Sequence, residues 1–365
     1  MQSEVYFLPF KGKRDGFLKG IGRMLDLLGI EKAVRPGDLC AVKVHFGEEG
    51  NTTFLRPLYV RPIVERVRAL GAKPFLTDTN TLYKGSRSDA PSHIETALRH
   101  GFGFEVTGAP VIIADGLKGN DTVMVRIEGE VYGEVEVARA IFEAHSMVVV
   151  SHFKGHDLAG FGGALKNLGM GCTGRRGKLI QHSEVSPKVN RRRCTGCGRC
   201  EGECPSGAIA LKEKKAFIDE GRCTGCGQCI VMCPHKAIDI RWKRDPEIFQ
   251  KKMIEHALGA LKGKEGKVLF LNFLLYVTPL CDCWSRSDPP IVPDIGILGS
   301  RDPVALDQAS VDLVNAQPGI SSLEGLGPGR DKFGAVHKDI DWSFQLEHAE
   351  RLGLGSRSYR LLELS

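Results

Sequence analysis

Two stretches of the chain, CTGCGRCEGECP at residues 194–205 and CTGCGQCIVMCP at residues 223–234, repeat one spacing of four cysteines followed by proline. In each stretch two residues separate the first three cysteines, and the fourth follows after three intervening residues. Thiolates at this spacing hold 4Fe–4S clusters. Cysteine pairs also bind zinc, but a zinc site needs only four ligands and does not explain a tandem repeat of the whole run. The repeat therefore predicts two 4Fe–4S clusters and electron transfer in a reducing compartment.

The fourth cysteine of each run is predicted to bind the cluster of the other run, as it does in two-cluster ferredoxins. The predicted ligands of the first cluster are Cys194, Cys197, Cys200 and Cys233. The predicted ligands of the second cluster are Cys204, Cys223, Cys226 and Cys229. Glycines between the cysteines permit the tight loops that such clusters need.

The chain of 365 residues has the composition of a soluble globular protein, with 42% hydrophobic and 26% charged residues. It lacks an apolar run of about 18 residues and a secretory signal at its start, so we expect a cytoplasmic protein without a membrane span. The net charge is +6, and residues 186–243 hold twelve Lys/Arg against six Asp/Glu. Because eight cysteines lie in the same stretch, compensation of anionic clusters or docking of an acidic redox partner explains this charge better than nucleic-acid binding.

Outside the cysteine runs, short apolar segments alternate with helix-like segments, which predicts a mostly parallel, doubly wound α/β sheet. The predicted strands are residues 5–9, 39–46, 74–77, 111–114, 123–127, 147–151, 268–277 and 295–298. The predicted helices are residues 15–28, 58–70, 92–99, 138–145, 161–168, 246–261 and 303–314. We interpret residues 186–243 as a ferredoxin-like α+β domain inserted between two parts of the α/β domain, residues 1–185 and 244–365.

Three further stretches point to a known family: SHFKGHDLAGFGGALKNLGMGC at residues 151–172, CDCW at residues 281–284 and VPDIGILGSRDPVALDQAS at residues 292–310. Together they resemble the domain-of-unknown-function 362 family, in the subgroup that carries an inserted two-cluster ferredoxin. The resemblance implies the α/β fold and the clusters. It implies no settled substrate.

Polar residues follow several predicted strands, where ligands bind in open α/β sheets. The candidate site residues are His45, Asp78, His152, Lys154, His156, Cys172, Cys281 and Cys283. Each also has a purely structural explanation: a histidine with satisfied hydrogen bonds, a capping carboxylate, or a buried thiol. Imidazole and thiolate together suit zinc, iron, copper or nickel, and the same groups donate protons near neutral pH. The sequence therefore predicts one shared pocket that binds a small molecule. A further metal ion or a flavin is an additional cofactor that this pocket could hold.

Two functions are compatible with these features. In the first, the protein is an iron–sulfur oxidoreductase that passes electrons through its clusters to a small molecule bound in the α/β domain. In the second, it is a specialised ferredoxin that donates electrons to a separate reductase, and the α/β domain is a docking platform. Histidines and cysteines at strand ends favour the first, because a passive platform does not need them.

Overall fold

The computed structural model describes residues 2–11, 16–182, 186–240 and 245–364. Residue 15, the predicted start of the first helix, and the predicted domain limits at residues 185, 243 and 244 lie outside the described residues. The division into residues 1–185, 186–243 and 244–365 therefore stays a prediction.

The strands are numbered in chain order through the described residues. They are β1 (Ser3–Pro9), β2 (Leu39–Lys43), β3 (Lys73–Asp78), β4 (Val111–Ile113), β5 (Thr122–Arg126), β6 (Glu134–Ala138), β7 (Ser146–His152), β8 (Lys154–His156), β9 (Gly160–Gly162), β10 (Lys188–Val189), β11 (Ile209–Lys212), β12 (Lys215–Ile218), β13 (Ile238–Asp239), β14 (Val268–Leu274), β15 (Gly296–Ser300) and β16 (Tyr359–Glu363).

The helices are numbered in the same way. They are α1 (Phe17–Leu27), α2 (Ile30–Ala33), α3 (Arg61–Ala69), α4 (Ala90–Arg99), α5 (Phe104–Thr107), α6 (Arg139–Glu143), α7 (Ala164–Gly169), α8 (Arg175–His182), α9 (Arg199–Gly202), α10 (Gln228–Met232), α11 (Pro246–Leu261), α12 (Pro303–Asn315), α13 (Lys332–Val336) and α14 (Ser343–Arg351). In the described part of the chain, no helix is long and apolar enough to cross a membrane.

Three of the longer helices begin with an aspartate cap. Asp89, Asp245 and Asp302 accept hydrogen bonds from backbone N–H groups in the first turn of α4, α11 and α12, and a proline follows at one of the first two helical positions. The carboxylate satisfies N–H groups that have no partner within the helix, and proline costs nothing where its missing N–H would have no partner. Local sequence therefore determines where these helices start.

The main sheet has eight strands in the order β16-β1-β15-β14-β7-β2-β3-β4. Every neighbouring pair is parallel except the two that involve β15, which runs against β1 and β14. The predicted mostly parallel α/β fold is confirmed. The strand predicted at residues 123–127 exists as β5, but it does not belong to the main sheet. It pairs with β6 in a separate antiparallel sheet.

Both faces of the main sheet are buried, as a doubly wound fold requires. Along β7, Met147 and Val149 point into one hydrophobic layer, and Val148 and Val150 point into the other. Helices α1 and α3 cover the second layer, and α7, α11 and α12 cover the first. The sheet is thus held between two helical layers, which leaves the ends of its strands as the place for a ligand site.

Residues 186–240, called here the cysteine segment, form small structural units of their own. Strands β11 and β12 make a hairpin, and β10 pairs with β13. Isoleucines such as Ile209 and Ile230 form a separate hydrophobic cluster with the cysteines. Leu82 and Leu179, which precede the segment in the chain, belong to the same cluster. The cysteine segment is therefore packed directly against the α/β domain.

Candidate functional site

The eight cysteines of the two runs fall into two groups in space. Cys233 lines one small cavity together with the first three cysteines of the other run, Cys194, Cys197 and Cys200. Burial is the main cause that raises the pKa of Cys223, and the negative charges of Cys226 and Cys204 raise it further, so Cys204 lies near the second run. Burial likewise raises the pKa of Cys229, to which the charges of Cys226, Cys223, Cys200 and Cys204 all contribute. The cysteines can hold two clusters with the fourth ligand exchanged between the runs. The ligand sets themselves stay a prediction.

Backbone N–H groups face several of these sulfurs. The N–H groups of Ala208 and Ala237 donate to the Sγ atoms of Cys204 and Cys233, at 3.3 Å and 3.2 Å. Each alanine lies four residues after its cysteine, just beyond the Cys-Pro step. Although burial by itself raises the pKa of Cys204, hydrogen bonds from Ser206 and Ala208 outweigh it and lower the pKa. Such bonds stabilise thiolate, the form that ligates iron.

A cavity of about 790 Å³ opens at the carboxyl ends of β2, β3 and β7. The loop between β14 and β15 closes one side of it. Seven of the eight predicted site residues line it: His45, Asp78, His152, Lys154, His156, Cys281 and Cys283. Because these strands run parallel, residues that are far apart in the chain meet at one edge of the sheet.

Cys172 does not line the cavity, and its predicted place in the shared pocket is wrong. Its side chain is buried in the hydrophobic layer, and its Sγ donates a hydrogen bond to the carbonyl oxygen of Asn167 at 3.8 Å. Burial raises the pKa of this thiol to about 11. Met170 and Gly171, the two residues before Cys172, line the cavity instead.

Three predicted residues form a compact group on the cavity wall. The Sγ atoms of Cys281 and Cys283 lie 3.0 Å apart, and His45 Nε2 lies 3.3 Å from Cys283 Sγ. One ligand atom from each of these residues lies within 4.8 Å of the others, so the distances alone would permit a metal ion. The Nζ of Lys166 donates to Cys281 Sγ at 3.6 Å. A cation therefore faces the thiol pair.

His152 holds the loop that carries this pair. Its Nδ1 lies 2.8 Å from Asp282 Oδ2, and its Nε2 donates to the carbonyl oxygen of Leu275 at 2.9 Å. Lys154 Nζ also lies 3.4 Å from Asp282 Oδ2. Burial alone would raise the pKa of Asp282, but the charges of His152 and Lys154 hold it well below its usual value. Both nitrogens of His152 are thus engaged in positioning the segment between the two cysteines.

His156 has a different environment. Its Nδ1 accepts hydrogen bonds from the N–H groups of Leu158 and Ala159, each at 3.2 Å. Burial, followed by the charge of Lys166, lowers the pKa of His156 well below its usual value. His156 is therefore a neutral histidine in the wall of the cavity.

Buried charges complete the site. Lys43 Nζ lies 2.9 Å from Asp78 Oδ1, and Arg87 Nε lies 3.1 Å from Glu48 Oε2. Lys178 donates to Thr79, Asn80 and Thr173 oxygens at distances from 2.5 to 3.0 Å, and burial lowers its pKa to about 8. Lys43, Glu48 and Lys166 lie close in sequence to the candidate residues, whereas sequence reasoning missed three residues of this site: Arg87, Lys178 and Asp282. Only Asp282, set between two cysteines, carries a local signal in the sequence.

Helix α8 is the wall shared by the cavity and the cysteine segment. Lys178 and His182 line the cavity, whereas Leu179 packs into the hydrophobic cluster of the cysteine segment. At the start of the same helix, Arg175 Nη1 donates to Gln228 Oε1 at 2.7 Å. Gln228 lies between Cys226 and Cys229. The second cysteine run therefore contacts the helix that borders the cavity.

The fold and the site define an α/β protein with a cavity at the edge of a mostly parallel sheet and an attached segment that carries two cysteine runs. A domain of unknown function (DUF362) matches residues 40–312, and the chain belongs to this family. The family indicated by residues 151–172, 281–284 and 292–310 is confirmed.

Two curated proteins resemble a short part of the chain. One, described as a ferredoxin-like protein in nif region from Sinorhizobium fredii (strain NBRC 101917 / NGR234), is 56% identical over 32 residues. Another with the same description, from Rhizobium leguminosarum bv. trifolii, is 50% identical over 32 residues. These segments are 9% of this chain, and the chain spans half the length of each relative.

Two solved structures have a partial likeness to this chain. One is the lactate racemase apoprotein from Thermoanaerobacterium thermosaccharolyticum, with a TM-score of 0.44 and 11% identity over 87% of this chain and 59% of that one. The other is a protein from Thermotoga maritima, with a TM-score of 0.37 and 9% identity over 93% of this chain and 59% of that one.

Proposed function

We propose that this protein is an iron–sulfur oxidoreductase that passes electrons through two 4Fe–4S clusters to a small molecule bound in the cavity. The observation that carries the proposal is the position of α8, which lines the cavity with Lys178 and His182 and packs Leu179 against the cysteine segment. Helix α8 therefore lies between the predicted electron carriers and a cavity with buried ionisable groups. The ferredoxin-like description of the curated relatives supports the first half of this function.

The arrangement also suggests an order for the two clusters. The second cysteine run contacts α8 through Gln228, which supports a position beside the cavity for the proposed cluster of Cys204, Cys223, Cys226 and Cys229. Cys197, in the other ligand set, is solvent-exposed. When bound, the clusters supply single electrons. An external donor protein then meets the first cluster, and the cavity receives electrons from the second.

The cavity suits an anionic ligand. Within the described residues, five buried cations line it: Lys43, Arg87, Lys154, Lys166 and Lys178. Carboxylates neutralise three of them, and Cys281 faces Lys166. The hydrogen bonds of Lys178 within the described residues go to hydroxyl and carbonyl oxygens. A positive charge in a buried site favours an anion strongly, because the local dielectric constant is low.

The first test is the cluster content. Protein purified and reconstituted anaerobically is expected to contain about eight iron atoms and about eight acid-labile sulfides per chain, with a broad visible absorption that bleaches on dithionite reduction. Iron, zinc and sulfide analysis measures this. Near-stoichiometric zinc without labile sulfide, after anaerobic reconstitution, would reject the iron–sulfur function.

A second test concerns the anion. Millimolar monocarboxylates, dicarboxylates or phosphate esters are expected to raise the thermal unfolding midpoint of the holoprotein, and Lys178→Met is expected to abolish the shift. Since the pKa of Lys178 is lowered to about 8, the shift should weaken as the pH rises through that value. Lys264→Met is the matched control, because Lys264 is also buried but binds the carbonyl oxygens of Phe142 and Ala144 away from the cavity. An equal shift in wild type and Lys178→Met would contradict an anion site at this lysine.

The specialised ferredoxin remains the alternative. It predicts that a separate reductase accepts the electrons and that cavity substitutions leave this transfer unchanged. If no small anion shifts the unfolding midpoint of the wild type while the clusters are present and reducible, the alternative is favoured.

A further inference from the structure

We propose that Cys281 and Cys283 form a redox-active dithiol–disulfide pair that accepts two electrons delivered by the clusters. This inference rests on the proposed function and deepens it, since it names the group in the cavity that the electrons reach. The two thiols belong to the sequence Cys281-Asp282-Cys283 in the loop after β14.

The loop places both sulfurs on the same side. The backbone turns at this point, with the N–H of Trp284 bonded to the carbonyl oxygen of Cys281 at 3.1 Å. The side chain of the intervening Asp282 is held on the other side by His152 and Lys154. The Sγ atoms lie 3.0 Å apart, so a disulfide requires only a small approach. Both residues also line the cavity, and Cys283 is the less buried of the two.

The surroundings favour one thiolate. A hydrogen bond from Cys283 is the main cause that lowers the pKa of Cys281, and the charge of Lys166 lowers it further although burial opposes both. The same hydrogen bond raises the pKa of Cys283. The reduced pair thus holds one shared proton beside one thiolate. A thiolate is the form that attacks a disulfide or re-forms one.

The tautomer of His45 argues against a metal ion at this place. The N–H of Gly47 donates to His45 Nδ1 at 2.8 Å, so the ring proton of the neutral imidazole lies on Nε2. That proton points to Cys283 Sγ at 3.3 Å. A histidine that ligates a metal through Nε2 normally donates from Nδ1 instead. Arg87 Nη1, 3.2 Å from the same Nε2, adds a positive charge where a metal ion would sit.

The number of electrons that a disulfide accepts matches the number that the two predicted clusters can deliver. Reduction breaks the bond between the two sulfurs and consumes two electrons and one proton, and the products are the Cys283 thiol and the Cys281 thiolate. Each 4Fe–4S cluster carries one electron at a time, so two reduced clusters supply the pair once. The electrons enter the clusters from an external one-electron donor protein, for which dithionite substitutes in the test.

The test is a reductive titration of oxidised holoprotein with dithionite under anaerobic conditions. Wild type is expected to take up about four electrons per chain, two for the clusters and two for the disulfide. Cys281→Ser and Cys283→Ser are each expected to take up about two, with unchanged iron content. Cys40→Ala is the control and should take up about four electrons, because Cys40 is a buried thiol at the opposite end of β2.

Alkylation of the denatured protein gives an independent measurement. Before reduction, Cys281 and Cys283 should resist a thiol reagent as a disulfide-linked peptide, and after reduction both should be labelled. The proposal is overturned if wild type with intact clusters takes up only about two electrons, or if it retains about one further metal ion per chain that both serine variants lose. If the clusters are absent altogether, the proposed electron transfer fails, and the alkylation result still decides whether the pair exists.

Discussion

The Cys204→Ala variant is expected to retain about four of about eight iron atoms, because it loses one 4Fe–4S cluster and keeps the other. The lost cluster is expected to be the one bound by Cys223, Cys226 and Cys229. The negative charge of Cys204 raises the pKa of Cys223, so Cys204 lies near the second run although it belongs to the first run in the sequence. Iron and sulfide analysis of the anaerobic protein measures the loss.

Double variants determine which cluster is lost. If the ligands cross, Cys204→Ala combined with Cys226→Ala removes two ligands of one cluster and should still retain about four iron atoms. Cys204→Ala combined with Cys197→Ala damages both clusters and should leave almost none. The reverse pattern would show that each run binds its own cluster. Cys233→Ala is the matched single variant and should spare the cluster that Cys204→Ala loses.

The Lys43→Met variant is expected to lower the free energy of unfolding by about 3–5 kcal/mol. Lys43 is fully buried, and its Nζ contacts Asp78 Oδ1 at 2.9 Å and Asn167 Oδ1 at 2.7 Å. Methionine keeps the length and apolar stem of the side chain, so the loss measures the buried charge left on Asp78 rather than a cavity. Denaturant unfolding of the anaerobic holoprotein, followed by circular dichroism, gives the difference.

The effect should depend on pH. Burial by itself raises the pKa of Asp78, but Lys43, His93 and Arg87 together lower it. A carboxylate whose pKa is lower in the folded protein than in the unfolded chain stabilises the fold at pH values above its unfolded pKa. This stabilisation is lost as the pH falls through the pKa of the folded state. Without Lys43 the pKa of Asp78 rises, and protonation relieves the buried charge. The difference between wild type and variant should therefore shrink as the pH falls toward about 4, the ordinary pKa of aspartate.

Two further variants separate the buried charge from general damage. Adding Asp78→Asn to Lys43→Met removes both charges and should recover part of the lost stability. Arg61→Met breaks the exposed pair of Arg61 and Glu65 and should cost no more than about 1 kcal/mol. A Lys43→Met protein as stable as wild type at neutral pH would contradict the assigned role of this ion pair.

The cysteine runs show what local sequence determines. Three of the four predicted ligands of each cluster come from one short segment of the chain. The spacing of Cys194, Cys197 and Cys200 therefore predicts a cluster without any knowledge of the tertiary structure. Most strands of the main sheet and the longer helices around it are also predicted by local patterns, and caps such as Asp302 fix where a helix begins. The helix predicted at residues 161–168 begins only at Ala164, because residues 160–162 form β9. The parallel order of the strands then implies that residues after β2, β3 and β7 meet at one edge.

The character of the cavity was decided by tertiary structure. Lys43, Arg87 and Lys178 are charged residues that a sequence alone assigns to the surface, yet they are buried because carboxylates and carbonyl oxygens from distant segments compensate them. The sequence offers His152 and Cys172 as equal candidates for the site, but the tertiary structure places only His152 there. His152 holds Asp282 at the cavity, whereas Cys172 lies in the apolar layer. Chain-distant contacts set burial and hydrogen bonding, and these decide which ionisable side chains are available for chemistry.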